Sequence, residues 1–172
     1  MTRNTPALIA RQGTNGAAVP LDPWFVTGLT DGEGCFCVSL AIRAKLRTGL
    51  EVRPSFSLSL NEKDLGLLED LQAFFGCGWI RESKGDRTYK YEVRSIGDLI
   101  GVILPHFERF PLPGYKARSC AGFSRVCRMV EQGDHLQRVG LREIVGIAYQ
   151  INLGKRRHSE ATLLTVLDEV KG

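Results

Sequence analysis

The chain has 172 residues, and its 23 Lys and Arg against 19 Asp and Glu give a formal net charge of +4. Its composition, 43% hydrophobic and 24% charged, is that of an ordinary globular protein and excludes a largely disordered chain, a collagen or a coiled-coil rod. No apolar run approaches the roughly 20 residues needed to cross a bilayer, so neither a membrane span nor a membrane partner is expected.

The length predicts one folded domain, preceded by a tail. Residues 1–21 are rich in Pro, Gly, Asn and Thr, contain no acid and show no hydrophobic periodicity. We therefore predict a flexible N-terminal tail over residues 1–21 and a single domain over residues 22–172.

Hydrophobic periodicity predicts helices that alternate with hairpins. A helix begins at Asp22-Pro23, because an acid at the N-cap and a proline in the first turn are both favourable there. The elements that follow are strands at 35–47 and 51–60, a helix at 63–75, strands at 79–83 and 87–95, and helices at 96–108, 116–131, 136–152 and 159–170. Hairpins between helices are typical of the α+β class, with an antiparallel sheet that is covered by helices on one face.

Basic residues are concentrated on the predicted strands and their turns. Over residues 35–60 and 79–95 there are nine basic and four acidic residues, a local net charge of +5 that exceeds the charge of the whole chain. Together with outward-facing serines they form one cationic sheet face, consisting of Ser39, Arg43, Lys45, Arg47, Arg53, Ser55, Ser57, Ser59, Arg81, Lys84, Arg87, Lys90 and Arg94. Such a face suits the phosphates and base edges of DNA, and it is equally compatible with an outer face kept polar for solubility. Tyr89 and Tyr91 are the only aromatic candidates for this face.

The first predicted helix contains two small residues that weaken it. Gly28 and Gly32 each cost about 1 kcal/mol relative to alanine in a helix interior. They lie one turn apart on the same helix face, with Trp24 a turn earlier. This arrangement would let a second backbone approach closely.

The same helix ends in two acids that its dipole disfavours. Asp31 and Glu33 lie near the C-terminal end, where the macrodipole is negative and each acid is unfavourable by roughly 0.3–1 kcal/mol. Carboxylate and carbonyl oxygens are hard ligands suited to Mg²⁺. An ordinary glycine-rich helix end with two solvated acids accounts for the same residues.

Residues 26–34, VTGLTDGEG, resemble the LAGLIDADG motif, with its first Gly, its Asp, its last acid and its final Gly in register. The layout around the motif is also similar: a hairpin, a helix ending in Phe75-Gly76-Cys77-Gly78, a hairpin, a helix, and then Phe110-Pro111-Leu112 followed by Lys116. Over about residues 22–170 the chain therefore resembles the single-motif LAGLIDADG homing endonucleases. The resemblance implies their αββαββα fold, with a saddle-shaped antiparallel sheet, helices on one face and, here, extra C-terminal helices.

The resemblance also implies the roles of several residues. The last acid of the family's motif binds a divalent metal at the scissile phosphates, and here it is Glu33, helped by the carbonyl of Gly32. The family's pocket lysine corresponds to Lys116, and the residue that positions the attacking water corresponds to either Asn61 or Glu62. The implied metal is Mg²⁺, with Mn²⁺ as a substitute and Ca²⁺ as an ion that binds without supporting cleavage.

One motif provides half of an active site, so the resemblance implies a homodimer with Trp24, Gly28 and Gly32 at its interface. The two copies would hydrolyse both strands of a long, roughly palindromic target in double-stranded DNA, and no small-molecule substrate is implied. Such endonucleases are often encoded within introns, which implies an intracellular location, in a bacterial cytoplasm, a chloroplast or a mitochondrion. The alternative is a DNA-binding regulator or an RNA-splicing maturase that has the same fold and does not cleave.

Overall fold

The computed structural model of the chain describes residues 10–12, 18–83, 85–151, 154 and 156–169. They form two compact units: the first contains residues up to 35 together with 56–113, and the second contains residues 36–55 together with those from 114 onward. The single domain expected over residues 22–172 stays a prediction.

The fold is α+β, and from Pro23 onward its helices and strands follow one another in the predicted order. The strands are β1 (Ala10–Gln12), β2 (Ala18–Pro20), β3 (Gly34–Ile42), β4 (Leu50–Asn61), β5 (Trp79–Ser83) and β6 (Thr88–Val93). The helices are α1 (Pro23–Glu33), α2 (Leu65–Phe75), α3 (Ile96–Asp98), α4 (Leu104–Arg109), α5 (Gly114–Glu131), α6 (Arg138–Ile151) and α7 (Glu160–Glu169), with 3-10 turns at Glu62–Asp64 and Asp134–Leu136 and a π-helical turn at Leu99–Ile103. Four strands form one sheet in the order β3-β4-β6-β5.

Strands β1 and β2 lie within the segment predicted as a tail. They pair antiparallel, with Arg11 opposite Val19. No alternation of hydrophobic residues signals either strand, because each has only three residues. Residues 1–9 and 13–17 of the predicted tail lie outside the described residues.

The strand predicted over residues 35–47 is shorter than expected and ends at Ile42. A compact turn takes over, in which the N–H of Arg43 donates to the carbonyl oxygen of Gly49 at 2.7 Å and the N–H of Gly49 donates to the carbonyl of Leu46 at 2.9 Å. Gly49 has a φ of 72°, a left-handed conformation that glycine adopts without strain. Leu46 is 43% exposed, so the alternation beyond Ile42 does not reflect a continuing strand.

Helix α1 begins as predicted. A side-chain oxygen of Asp22 accepts hydrogen bonds from the backbone N–H groups of Trp24 and Phe25, at 2.8 and 3.1 Å. These bonds satisfy two of the N–H groups that have no partner within the helix. One side of α1 is buried through Val26, Thr27 and Thr30, which fixes the helix in the first unit.

The core of the first unit is rich in aromatic rings. Phe56 on β4 contacts the rings of Phe75, Tyr91 and Phe107, with centroids 5.7–6.4 Å apart. Edge-to-face contacts of this kind stabilise a core beyond the area they bury. They hold α2 and α4 against one face of the strands in this unit.

The second unit has its own aliphatic core. Leu50 packs with Leu141 and Val145 of α6 and with Leu163 and Leu167 of α7, and all five are nearly or fully buried. The extra C-terminal helices therefore cover one face of β3 and the first half of β4. None of the helices that the structure describes is long and apolar enough to span a bilayer.

Candidate functional site

The C-terminal end of α1 presents a carboxylate at the surface. Glu33 is the last residue of the helix and is exposed, and Asp31 is partly buried. The N–H of Gly34 donates to the carbonyl oxygen of Thr30, and a Cβ at Gly34 would lie 2.5–2.6 Å from atoms of Thr30. The chain leaves the helix immediately after Glu33, and the close approach of Gly34 to Thr30 leaves no room for a larger side chain.

The solvent side of α1 is open. An added Cβ at Gly28 or Gly32 would meet no neighbouring atom within 4 Å. Trp24 is 56% exposed and Phe25 is 47% exposed, and both lie at the start of the same helix. Large exposed apolar side chains beside bare backbone are typical of a surface that packs against another chain. The sequence predicts this surface through Trp24, Gly28 and Gly32, but it does not predict the contribution of Phe25.

The oxygen donors at this helix end are few. The Glu33 carboxylate and the Gly32 carbonyl are of the type that Mg²⁺ prefers. Nowhere among the residues that the structure describes do three or more His, Cys, Asp or Glu form a cluster able to hold a metal. The donors of one chain therefore fit a hard cation only as part of a shell completed by other oxygens.

The other predicted catalytic residues occupy the ends of three elements. Lys116 lies in the first turn of α5, in the second unit, and is partly buried. Asn61 ends β4, and its side-chain oxygen accepts the N–H of Lys63 at 3.2 Å. Glu62 begins the following 3-10 turn, and its carboxylate lies 3.8 Å from the guanidinium of Arg87.

In the first unit, strand register places polar residues in rows on one sheet face. Directly paired residues lie on the same side of a sheet, so each row crosses β4, β6 and β5. The rows are Ser57–Glu92–Trp79, Ser59–Lys90–Arg81 and Asn61–Thr88–Ser83. These nine residues are called the outer face below.

The opposite side of the same strands carries the tyrosines. Tyr91 is fully buried, and its hydroxyl donates to the carbonyl oxygen of Cys77 at 3.0 Å. Burial raises the pKa of this hydroxyl far above its ordinary value. The expectation that Tyr89 or Tyr91 could lie on the cationic face is wrong, because the register of β6 places both on the side opposite the outer face. The aromatic residue on the outer face is instead Trp79, which is 40% exposed.

Two carboxylates each hold a pair of predicted DNA-contacting arginines. Glu92 lies 2.9 Å from Arg94 and 3.6 Å from Arg81 in the first unit. In the second unit Glu51 lies 2.9 Å from Arg43 and 2.7 Å from Arg53. Hydrogen bonds from Arg43 and then Arg53 lower the pKa of Glu51.

The remaining residues of the predicted cationic face differ in their exposure and in their contacts. Lys45 is exposed in the turn after β3, and Ser39 is exposed on β3 itself. Arg47 is exposed and donates to the carbonyl oxygen of Leu136 at 2.7 Å, so part of its side chain stabilises the second unit. Lys84 lies outside the described residues.

The prediction that Ser55 and Ser57 are exposed on the cationic face is wrong. Ser55 is only 8% exposed and Ser57 only 3% exposed, although both alternate with buried residues as expected. Both serines are short and lie on β4, which has a neighbouring strand on each side in the sheet, so little of either side chain reaches solvent. Ser59, nearer the strand end, is partly exposed.

Sequence reasoning missed Trp79 and Glu92 on the outer face. The period-2 pattern carried a usable signal, because Trp79 alternates with Arg81, and Glu92 stands between Lys90 and Arg94 at the same spacing. The burial of Glu92 depends on partners from another strand, which the pattern of one strand does not specify.

The comparisons with known proteins agree with this fold and helix end. A profile described as LAGLIDADG endonuclease matches residues 26–127. The chain belongs to this family. It is 40% identical over 118 residues to an uncharacterised 50.9 kDa protein in ND4 intron 1 of Podospora anserina, covering 67% of this chain and 26% of that protein. It is 34% identical over 142 residues to probable intron-encoded endonuclease 3 of Neurospora crassa, covering 82% of this chain and 26% of that protein.

Solved structures of homing endonucleases share the fold. The structure of I-TnaI matches with a TM-score of 0.76 and 34% identity, covering 88% of this chain and 99% of that one. I-SmaMI bound to cleaved DNA matches with a TM-score of 0.78 and 34% identity, covering 88% of this chain and 49% of that one. I-SmaMI has also been solved on an uncleaved DNA target with calcium ions. The chain thus spans about a quarter of the length of these two curated relatives and about half of I-SmaMI.

Proposed function

We propose that this chain is one half of a site-specific homing endonuclease that makes a double-strand break in DNA. The observation that carries the proposal is Glu33, an exposed carboxylate fixed at the end of a helix whose glycine face is open. The target would be long and roughly palindromic, because two identical halves related by a two-fold axis present the same contacts to each half-site.

The second half is a second copy of this chain, which approaches along α1. Gly28 and Gly32 leave room for a close helix contact, and exposed Trp24 and Phe25 supply apolar area beside it. The match to I-SmaMI supports a chain that supplies one half of such a protein, since it covers about half of that chain. The match to I-TnaI, a chain of about the same length, is consistent with a half that is supplied by a separate copy.

Glu33 and the Gly32 carbonyl of each copy would hold a divalent metal together with DNA phosphate oxygens. Mg²⁺ fits such a sparse protein shell, because it keeps several waters and is usually bound through one or two carboxylates plus phosphate. We expect Mn²⁺ to substitute, and Ca²⁺ to bind without supporting cleavage. When bound, the metal would supply positive charge for the oxygens that attack and leave phosphorus.

The remaining residues orient and stabilise the reacting groups. Lys116 would donate to the phosphoryl oxygens as their negative charge grows, and its place in the first turn of α5 is one that the helix dipole disfavours for a cation. Asn61 lies on the outer face and keeps its amide N–H groups as donors, because only its oxygen is used in the turn. Glu62 lies beside Arg87 instead. These contacts favour Asn61 as the residue that positions the attacking water.

The DNA would lie along the outer face and the exposed arginines of the turns. Arginine, lysine, serine and asparagine side chains provide donors for phosphates and base edges.

A relative encoded in an ND4 intron supports an organellar location among those expected for an intracellular protein.

Cleavage of a duplex that the chain itself selects tests the proposal. The chain is incubated with a randomised DNA duplex library, bound molecules are amplified, and the selected duplex is then exposed to the protein with Mg²⁺, Mn²⁺ or Ca²⁺. We expect breaks in both strands with Mg²⁺ and Mn²⁺ and binding alone with Ca²⁺. Tight selection without cleavage under any metal would instead support a regulator or maturase.

A further inference from the structure

We propose that Glu92 is a positioning residue, which fixes Arg94 and Arg81 beside Trp79 as one preformed contact that selects a G·C base pair. The inference rests on the proposed function, because it concerns how the outer face recognises DNA. It adds a determinant of sequence selectivity that does not involve Glu33.

Glu92 is an anion in the middle of a cationic surface. It is only 4% exposed, and the guanidinium groups of Arg94 and Arg81 lie 2.9 and 3.6 Å from the same carboxylate oxygen. The two arginine side chains remain 48% exposed. The carboxylate is thus covered while its partners stay accessible.

Trp79 holds one of these arginines from a second direction. The guanidinium carbon of Arg94 lies 5.6 Å from the centre of the indole ring, within the range of a cation–π contact. Register places Trp79 directly opposite Glu92 on the outer face, so the ring, the carboxylate and the guanidinium form one contiguous group. Arg94 is therefore restrained by a charge and by a ring.

A carboxylate here weakens nonspecific attraction to DNA, because it removes one of two positive charges from the surface. Its presence is explained if the orientation of the arginines matters more than their total charge. Arg94 is paired with Glu92 by charge and not by a hydrogen bond, because the Glu92 oxygen that it approaches has no hydrogen-bond partner in the part of the chain that the structure describes. A guanidinium has five N–H donors in a fixed fork, so Arg94 can be attracted by Glu92 and still present donors outward. A fork fixed in this way matches O6 and N7 of guanine, whereas a mobile one gives only a phosphate contact.

The test is a binding selection with the full chain in Ca²⁺, using a randomised DNA duplex library, for wild type and three variants. Glu92→Gln removes the charge that holds both arginines, and Arg94→Lys keeps the charge but removes the fork. Glu82→Gln is the matched control, because Glu82 is an exposed carboxylate on β5 that alternates away from the outer face.

We expect wild type and Glu82→Gln to enrich the same consensus. At one G·C position per half-site, Glu92→Gln and Arg94→Lys should both lose about tenfold in preference for guanine, with the other positions unchanged. Nonspecific binding by Glu92→Gln should hold or rise, whereas partial unfolding would lower binding to every sequence equally. Unchanged base preferences in either variant would overturn the inference, and Arg94→Lys decides it if Glu92→Gln does not fold. Failure of wild type to enrich any sequence would instead contradict the proposed function.

Discussion

The hydroxyl of Thr27 lies 3.3 Å from Nε2 of His106 and donates to the carbonyl oxygen of Phe110 at 2.9 Å. Because the single hydroxyl proton goes to Phe110, Nε2 of His106 carries the proton that Thr27 accepts. Thr27 and His106 are 79 residues apart in the chain, so this contact ties the inner side of α1 to α4. The helix that carries Glu33 is therefore attached through Thr27 to a buried, neutral histidine.

Acid should loosen this attachment. Burial lowers the pKa of His106 from 6.5 to about 4. Between these values the unfolded chain binds a proton that the folded chain does not, so stability should fall as the pH falls from 6.5 toward 4, by about 1.4 kcal/mol per unit and about 3 kcal/mol in total. Urea unfolding of wild type and His106→Gln at several pH values measures the free energy of unfolding. Only wild type should show this loss of stability between pH 6.5 and 4. Equal pH dependence in the two proteins would contradict the assignment.

The final glycine of the motif is required by the fold. In Gly34→Ala the new methyl group would lie 2.5 Å from Cγ2 and 2.6 Å from the carbonyl oxygen of Thr30. We expect a loss of about 1–3 kcal/mol, because backbone atoms have to move. Gly66→Ala is the control, since Gly66 is an exposed helical glycine outside the proposed interface, its Cβ meets no neighbour and alanine is the better helix former. Thermal unfolding should separate the two variants, and equal stability would show that α1 can end without this glycine.

The open glycine face of α1 should control association. Gly28→Leu fills the space that a second copy needs, while the chain itself has no atom within 4 Å of the new Cβ. The variant should fold and sediment as a monomer under conditions where wild type is a dimer. Gly66→Leu makes the same change at another exposed helical glycine with open surroundings and should leave the dimer intact. A dimeric Gly28→Leu would move the interface to another surface.

Asn61 and Glu62 should differ in their effect on cleavage. Asn61→Ala removes a donor from the outer face and should lower the single-turnover cleavage rate about 100-fold, with little change in DNA affinity. Glu62→Gln removes only a charge that faces Arg87 and should leave the rate within a few-fold of wild type. The opposite ranking would assign the water-positioning role to Glu62.

The sequence predicts the fold best where local chemistry decides the structure. The N-cap at Asp22 follows from residue type and is confirmed by the hydrogen bonds that its side chain accepts. The strand predicted over residues 35–47 extends beyond the end of β3 at Ile42, because the alternation of residue types continues into the following turn. Backbone hydrogen bonds determine the conformation of that turn.

The details of the outer face depend on neighbours from other strands. Ser57 was predicted to be accessible and is buried beside Glu92, a residue 35 positions away in sequence that register brings opposite it. Arg94 was predicted as a cation of the face, but its contact with Trp79 follows only from the pairing of β5 with β6. The same pairing brings Arg81 to Glu92. Periodicity assigns a residue to a face and leaves its partners undetermined.

The most direct test of the account is double-strand cleavage by Glu33→Gln. The substrate is the duplex that wild type selects, with Mg²⁺, and Glu69→Gln serves as the control because it neutralises an exposed acid on α2. We predict that Glu33→Gln folds, dimerises and binds this duplex like wild type but produces no detectable break, while Glu69→Gln cleaves normally. Cleavage by Glu33→Gln at the wild-type rate would contradict the claim that Glu33 forms half of a metal-dependent nuclease site.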